Sequence, residues 1–122
     1  MAGDDALSPG TFLLTRNAAL DLRRIHTRSR REWGEVVANQ YLADLYEVMG
    51  MAAANPEGGR LRQHRSAPFL MVPARQHFLI YDIVPQGIVV LTVQHQVRDI
   101  ESLIAELGRN FHAEVQRLKH QA

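Results

Sequence analysis

Residues 76–96 read QHFLIYDIVPQGIVVLTVQHQ, and this stretch decides the fold class. Two runs in it, Gln76 to Val84 and Ile88 to Gln96, are rich in β-branched and aromatic residues, which is typical of strands. Pro85-Gln86-Gly87 lies between them and is typical of a hairpin turn. The stretch therefore predicts an antiparallel β-hairpin.

The register of this hairpin depends on the length of its turn. If a three-residue turn closes at Val84 and Ile88, Tyr81 faces Leu91 across the hairpin. One predicted face then carries His77, Leu79, Tyr81, Ile83, Val89, Leu91, Val93 and His95. Because the opposite face is also mostly apolar, we expect another part of the chain or a partner to cover it.

The residues before the hairpin predict one strand and two helices. Thr11 to Leu14 is a short apolar run that predicts an edge strand, and Thr15 is a suitable N-cap for a following helix. Apolar residues at helical spacing predict that this helix runs from Arg16 to near Ser29 and that a second begins near Arg31. Asn55-Pro56 ends the second helix, so the two are expected to form an antiparallel hairpin.

Beyond Gly59 the apolar period changes towards two, which predicts a strand from Arg60 or Leu61 and another over Phe69 to Val72. The last segment predicts an amphipathic helix with Asp99 as its N-cap. Its apolar residues, spaced at three and four, are Ile100, Leu103, Ile104, Leu107, Phe111, Val115 and Leu118. We expect this helix to pack on the domain or to lie at an interface.

Together these elements predict an α+β domain, with an N-terminal strand, an antiparallel helix hairpin, an antiparallel β-sheet of three to four strands and a C-terminal helix. We expect a flexible leader over residues 1–10, the domain over residues 11–99 and the C-terminal helix over residues 100–122. A chain of 122 residues has room for one core.

The composition excludes several classes of function. The chain has no cysteine, which excludes disulfide scaffolds and thiolate chemistry. Its formal net charge of +1 gives no strong field for nucleic acid, so no direct DNA binding is expected. No apolar run is long enough to span a membrane, and residues 1–10 do not resemble a secretion signal. We therefore expect a cytoplasmic protein.

Several short motifs, in this order, resemble toxins of the RelE/ParE superfamily. They are Leu14-Thr15 with Ala18, Asp21-Leu22 and Ile25, then Trp33-Gly34, Tyr41-Leu42 and Asn55-Pro56 with Gly59. His77 to Tyr81 resembles the family's penultimate strand, and Val93 to Ile100 is similar to the ParE ending, where a histidine and an arginine precede an aspartate. Leu70-Met71 and Ala74-Arg75 depart from the family, which usually has arginine and glycine there.

The resemblance implies a toxin of a type II toxin–antitoxin system, held inactive by a cognate antitoxin. ParE-like toxins bind and poison DNA gyrase, so inhibition by binding, without turnover and without a cofactor, is the expected activity. The alternative is a RelE-like endonuclease that cuts messenger RNA in the ribosome. A further alternative is a non-toxic module that binds a partner or forms a homodimer through its C-terminal helix.

Each hypothesis has its own candidate residues. Contacts to gyrase are expected at Arg65, His95 and Arg98. An endonuclease needs a base, an acid and cations, for which the candidates are Arg65, His77, Tyr81, His95 and Arg98. The candidate antitoxin contacts are Arg24, Arg28, Arg31, Trp33, Val37, Tyr41, Leu79, Tyr81, Leu91 and Val93. The pair of histidines has no obvious carboxylate third ligand, so no metal site is predicted.

Overall fold

The structure is a computed structural model that describes residues 11–63 and 68–96. Its elements are β1 (Thr11–Leu14), α1 (Arg16–Trp33), α2 (Glu35–Ala54), β2 (Arg60–Gln63), β3 (Pro68–Ala74), β4 (His77–Val84) and β5 (Gly87–His95), with a short 3-10 turn at Pro56–Gly58. The predicted leader and C-terminal helix, with Arg65 and Arg98, lie outside the described residues. In the part of the chain that the structure describes, no helix is long and apolar enough to cross a membrane.

The fold is α+β, as predicted: β2 to β5 form four antiparallel strands, within the expected three to four, and the N-terminal strand β1 makes the sheet mixed. It has five strands in the order β1-β5-β4-β3-β2. The strand β1 lies at the edge, as predicted, but it pairs with β5 in parallel, whereas all other pairs are antiparallel. A parallel pair needs a long crossover, which the two helices and the remaining strands supply. Gly87 lies opposite Thr11 with φ 151°, and a Cβ there would collide with the Thr11 carbonyl.

The register predicted for β4 and β5 is only half right. His77 pairs with His95 and Leu79 with Val93, as expected. The turn, however, has two residues and closes at Val84 and Gly87, and a β-bulge lies between Ile80 and Tyr81. Tyr81 therefore pairs with Val90 and not with Leu91. A one-residue shift reverses the direction of side chains, so Val89 and Leu91 lie on the face opposite Tyr81.

The helix hairpin has its joint later than predicted. Thr15 caps α1 as expected, since its Oγ1 accepts the backbone N–H of Ala18 at 3.0 Å. The helix α1 then continues past Ser29 to Trp33, and α2 begins at Glu35. Gly34 joins them with φ 91°, a conformation that favours glycine, and its N–H bonds to the Arg30 carbonyl.

The strand β3 also continues further than predicted, through Pro73 to Ala74. Proline has no N–H to give to a neighbouring strand. This costs nothing at Pro73, because β2 pairs with β3 only as far as Met71.

Two apolar clusters lie on opposite faces of the sheet. The first packs helix residues such as Leu22, Leu45 and Met49 against Tyr81 and Val90. The second is made of Phe69, Met71, Ile80, Val84, Val89 and Leu91, with Leu13 and Phe78 at its margin. Among the described residues, every member of the second cluster comes from a strand. The helix hairpin therefore covers one face of the sheet only.

Candidate functional site

A groove of about 420 Å³ lies between the helix hairpin and the adjoining ends of β4 and β5. The predicted site residues that line it are Arg24, Arg28, Trp33, Val37, Tyr41, His77 and His95. The two arginines and Trp33 come from α1, and Val37 and Tyr41 come from α2. The two histidines come from the paired ends of β4 and β5. We call this surface the helix–sheet groove.

The apolar wall of the helix–sheet groove is the exposed end of a helical stripe. Leu45 is fully buried in the first cluster, and Tyr41, one turn earlier, is half-buried. Val37 is 50% exposed and Trp33 is 68% exposed. Helical spacing alone favours a core role for all four, whereas in the structure Leu45 is a core residue, Tyr41 packs at the margin of the first cluster, and Val37 and Trp33 are exposed. An exposed tryptophan beside a cleft is typical of a surface that binds a partner.

The floor of the groove is a hydrogen-bonded pair, Tyr41 and His77. The Tyr41 hydroxyl lies 2.6 Å from Nδ1 of His77 and accepts the backbone N–H of Gln76 at 3.1 Å. The hydroxyl thus bridges the Gln76 backbone and the His77 ring, and holds the start of β4 against α2.

The His77 ring is neutral near pH 7. Its pKa is lowered from 6.5 to about 4, mainly by burial and then by the neighbouring charges of His95 and Arg28. The His77 and His95 rings meet edge to face, with centroids 5.2 Å apart. No group of three metal-ligating side chains occurs in the described ranges.

Arg75 and Gln76 also line the groove, and neither is among the site residues predicted from the sequence. They form the turn between β3 and β4, where Arg75 has φ 58°, a conformation more usual for glycine. The Arg75 guanidinium lies 5.5 Å from the centre of the Tyr41 ring and 3.5 Å from a carboxylate oxygen of Asp44. The departure from the family glycine at this turn was the signal that could have found it.

Other candidate residues lie elsewhere. Arg31 lines a neighbouring cleft together with Arg23. Arg24 and Arg28 line both this cleft and the helix–sheet groove. The sequence predicts that Leu79, Tyr81, Leu91 and Val93 share one sheet face and contact the antitoxin. The shared face is wrong for Leu91, which the bulge places on the opposite face, and all four side chains are at most 3% exposed. We therefore do not assign these four to a contact surface.

Tyr81 has a structural role. Its hydroxyl donates to the Pro56 carbonyl oxygen at 2.6 Å, which holds the end of α2 against the sheet. Burial raises the pKa of Tyr81, so the hydroxyl stays protonated. A hydroxyl that is engaged and buried in this way is not available to a substrate.

Comparison with known proteins places these features in a family. Residues 12–100 match the family model described as the ParE toxin of type II toxin-antitoxin system, parDE. Toxin ParE1 from Mycobacterium tuberculosis (strain CDC 1551 / Oshkosh) is 32% identical over 91 residues, which cover 74% of this chain and 93% of that protein. Toxin ParE from Escherichia coli is 28% identical over 97 residues, which cover 78% of this chain and 93% of that protein.

A solved structure has the same fold. It belongs to the chromosomal ParDE TA system from P. aeruginosa, with a TM-score of 0.61 and 18% sequence identity. The match covers 72% of this chain and 97% of the solved one.

Proposed function

Because this chain belongs to the ParE toxin family of type II toxin–antitoxin systems, we propose that it inhibits DNA gyrase by binding and that a cognate antitoxin neutralises it at the helix–sheet groove. Action on gyrase places the protein in the cytoplasm. The activity needs neither turnover nor a cofactor.

The exposed apolar wall of the helix–sheet groove carries this proposal. Trp33 and Val37 are half or more exposed on one side of the groove. A partner that covered them would remove their apolar surface from water, which favours binding. Arg24 and Arg28 border the same wall and are both exposed. Apolar side chains beside guanidinium groups suit an amphipathic segment that carries both apolar and acidic side chains. We therefore propose an antitoxin segment of that chemistry as the occupant.

The proposed antitoxin surface and the proposed gyrase surface share a residue, which explains neutralisation. His95 is exposed at the end of β5 and lines the helix–sheet groove. It is also a proposed gyrase contact, together with Arg65 and Arg98, which follow from the sequence resemblance. An antitoxin seated in the groove would cover His95 and so exclude gyrase by occlusion.

The endonuclease alternative has a weaker basis in the chemistry of the groove. A general base is most effective when its pKa lies near the working pH. The pKa of His77 is about 4, and its Nδ1 is already hydrogen-bonded to the Tyr41 hydroxyl. Tyr81 is engaged with Pro56 beneath the helices. These features support a binding surface over a site that transfers protons.

A supercoiling assay tests the proposal. Purified gyrase, relaxed plasmid and ATP are mixed with the protein, and the same preparation is added in parallel to ribosomes programmed with messenger RNA. The proposal predicts inhibited supercoiling with trapped cleaved DNA, and uncut RNA. The His95→Ala variant should inhibit less, whereas His26→Ala, on α1 and outside the groove, should inhibit like the parent.

Each other outcome points to a different function. Intact supercoiling with cut messenger RNA would replace the proposal by the endonuclease alternative. Intact supercoiling with uncut RNA would favour the non-toxic binding module. A further arm adds the cognate antitoxin to the supercoiling assay. If the antitoxin binds the protein but supercoiling stays inhibited, occlusion at the groove is wrong even with gyrase as the target.

A further inference from the structure

The second apolar cluster lies on the sheet face that the helix hairpin does not cover. Its six core members come from three neighbouring strands, β3, β4 and β5, and are between 0% and 5% exposed in the single chain. Side chains on an open face of a sheet point into solvent and cannot bury one another this completely. Something in the chain itself therefore covers this face.

Three parts of the chain lie outside the described residues, and their compositions differ. Residues 1–10 contain only Met1 and Leu7 as large apolar side chains, and residues 64–67 contain none. Residues 97–122 contain an apolar series that runs from Ile100 to Leu118 at spacings of three and four. Of the three segments, only residues 97–122 contain enough large apolar side chains to cover the six residues of the second cluster.

We propose that the C-terminal segment, residues 100–118, forms an amphipathic helix that lies across β3, β4 and β5 and buries the second cluster. The lengths agree, since this helix would be about 28 Å long and about 10 Å wide. The axes of three neighbouring strands span about 10 Å, so one helix is enough to cover the cluster. The segment begins within a few residues of the end of β5, so no long connection is needed.

This cover is an addition to the family domain. The match to the family model ends at residue 100, so almost all of the proposed helix lies beyond it. A sheet face closed by the chain's own helix is closed to an antitoxin and to gyrase. Partners are then directed to the helix–sheet groove on the other side.

Cysteine labelling tests the proposal on the full chain, which has no native cysteine. The Val89→Cys variant places a thiol in the second cluster with little change in volume, and Met51→Cys places one at a residue that is 65% exposed. We expect a maleimide to label position 89 about 100-fold more slowly than position 51. Labelling at equal rates would overturn the proposal.

Charges on the helix identify the cover. Adding Leu107→Asp and Phe111→Asp to the Val89→Cys chain should raise its labelling rate about tenfold or more. The matched control is Gln116→Asp, which adds a charge on the opposite, polar face of the predicted helix and should leave the rate unchanged. An unchanged rate in the doubly charged chain would show that another element covers the face.

Two further measurements exclude misfolding and self-association. In the otherwise unchanged chain, Leu107→Cys should be protected from maleimide and Gln116→Cys should not, and equal labelling of the two would contradict the helix even if the charged variants fail to fold. The protection of Val89→Cys should not depend on protein concentration. Protection that appears only when the chain dimerises would replace the proposal by a second copy as the cover.

Discussion

The carboxylate of Asp21 on α1 accepts the backbone N–H of Val93 on β5 at 3.0 Å, across 72 residues of sequence. The same oxygen accepts the Thr92 hydroxyl and, at 3.2 Å, the side-chain amide of Asn17. Asp21 is only 7% exposed. This carboxylate therefore holds the first helix on the strand that ends at the helix–sheet groove.

Removing this carboxylate should lower the stability of the whole domain. Asp21→Ala leaves a buried N–H and a buried hydroxyl without an acceptor, so we expect the free energy of unfolding to fall by about 2–4 kcal/mol. Urea denaturation measures it. The control is Glu32→Ala, which removes an exposed pair with Arg28 and should cost about 0.5 kcal/mol or less. Equal losses in the two variants would show that the Asp21 contacts contribute nothing beyond a surface pair.

Features that depend on residues close together in sequence were predictable. Features that depend on the exact register of β4 and β5 were not. The Thr15 cap, the edge position of β1 and both strands of the hairpin were predictable from local chemistry. The bulge was not, because residues 88–91 are all apolar and either register places apolar side chains on both faces. The Asp21 contact also depends on that register, since it binds Thr92 and Val93 just after the bulge.

The groove was predictable from the helices and not from the sheet. Helical spacing places Trp33, Val37 and Tyr41 on one face, and strand pairing brings His77 beside His95. With the joint at Gly34, Trp33 is the last residue of α1, where it lines the groove and lies outside the core. Arg75 reaches Tyr41 through a turn in the sheet, a contact that no spacing along the sequence indicates.

Replacing Tyr81 should separate stability from activity. Tyr81→Phe removes the hydroxyl that donates to the Pro56 carbonyl, which should lower the free energy of unfolding by about 1 kcal/mol. Gyrase inhibition by the folded variant should equal that of the parent, because Tyr81 is fully buried. Denaturation and the supercoiling assay measure the two quantities. Lost inhibition in a folded Tyr81→Phe chain would return this residue to the candidate site.

The protonation of His77 predicts a dependence of stability on pH. Its pKa is 6.5 in the unfolded chain and about 4 in the folded one, so between these values the unfolded chain binds more protons. Stability should therefore fall as the pH drops from 6.5 towards 4, with no contribution from this group above 6.5. His77→Gln removes the titration and keeps a polar side chain that can hydrogen-bond to the Tyr41 hydroxyl.

Urea denaturation of both chains between about pH 7 and pH 5 checks this dependence. The parent should lose more stability than His77→Gln over that range. In the parent, unfolding lets His77 bind a proton that the folded chain excludes, and the variant has no such group. Parallel losses in the two chains would mean that His77 is protonated as easily when folded as when unfolded.

The apolar wall of the helix–sheet groove should contribute to antitoxin binding and not to folding. Trp33→Ala and Val37→Ala truncate side chains that are 68% and 50% exposed, so each should change the free energy of unfolding by about 0.5 kcal/mol or less. We expect Trp33→Ala to raise the Kd for the cognate antitoxin about 30-fold or more, and Val37→Ala to raise it less. Titration calorimetry measures the Kd. The matched control is Val36→Ala, whose side chain is 83% exposed and does not line the groove, and its Kd should stay within about twofold of the parent value. If Val36→Ala weakened binding as much as Trp33→Ala, the antitoxin would contact the helix joint from outside, and the occlusion of His95 would lose its basis.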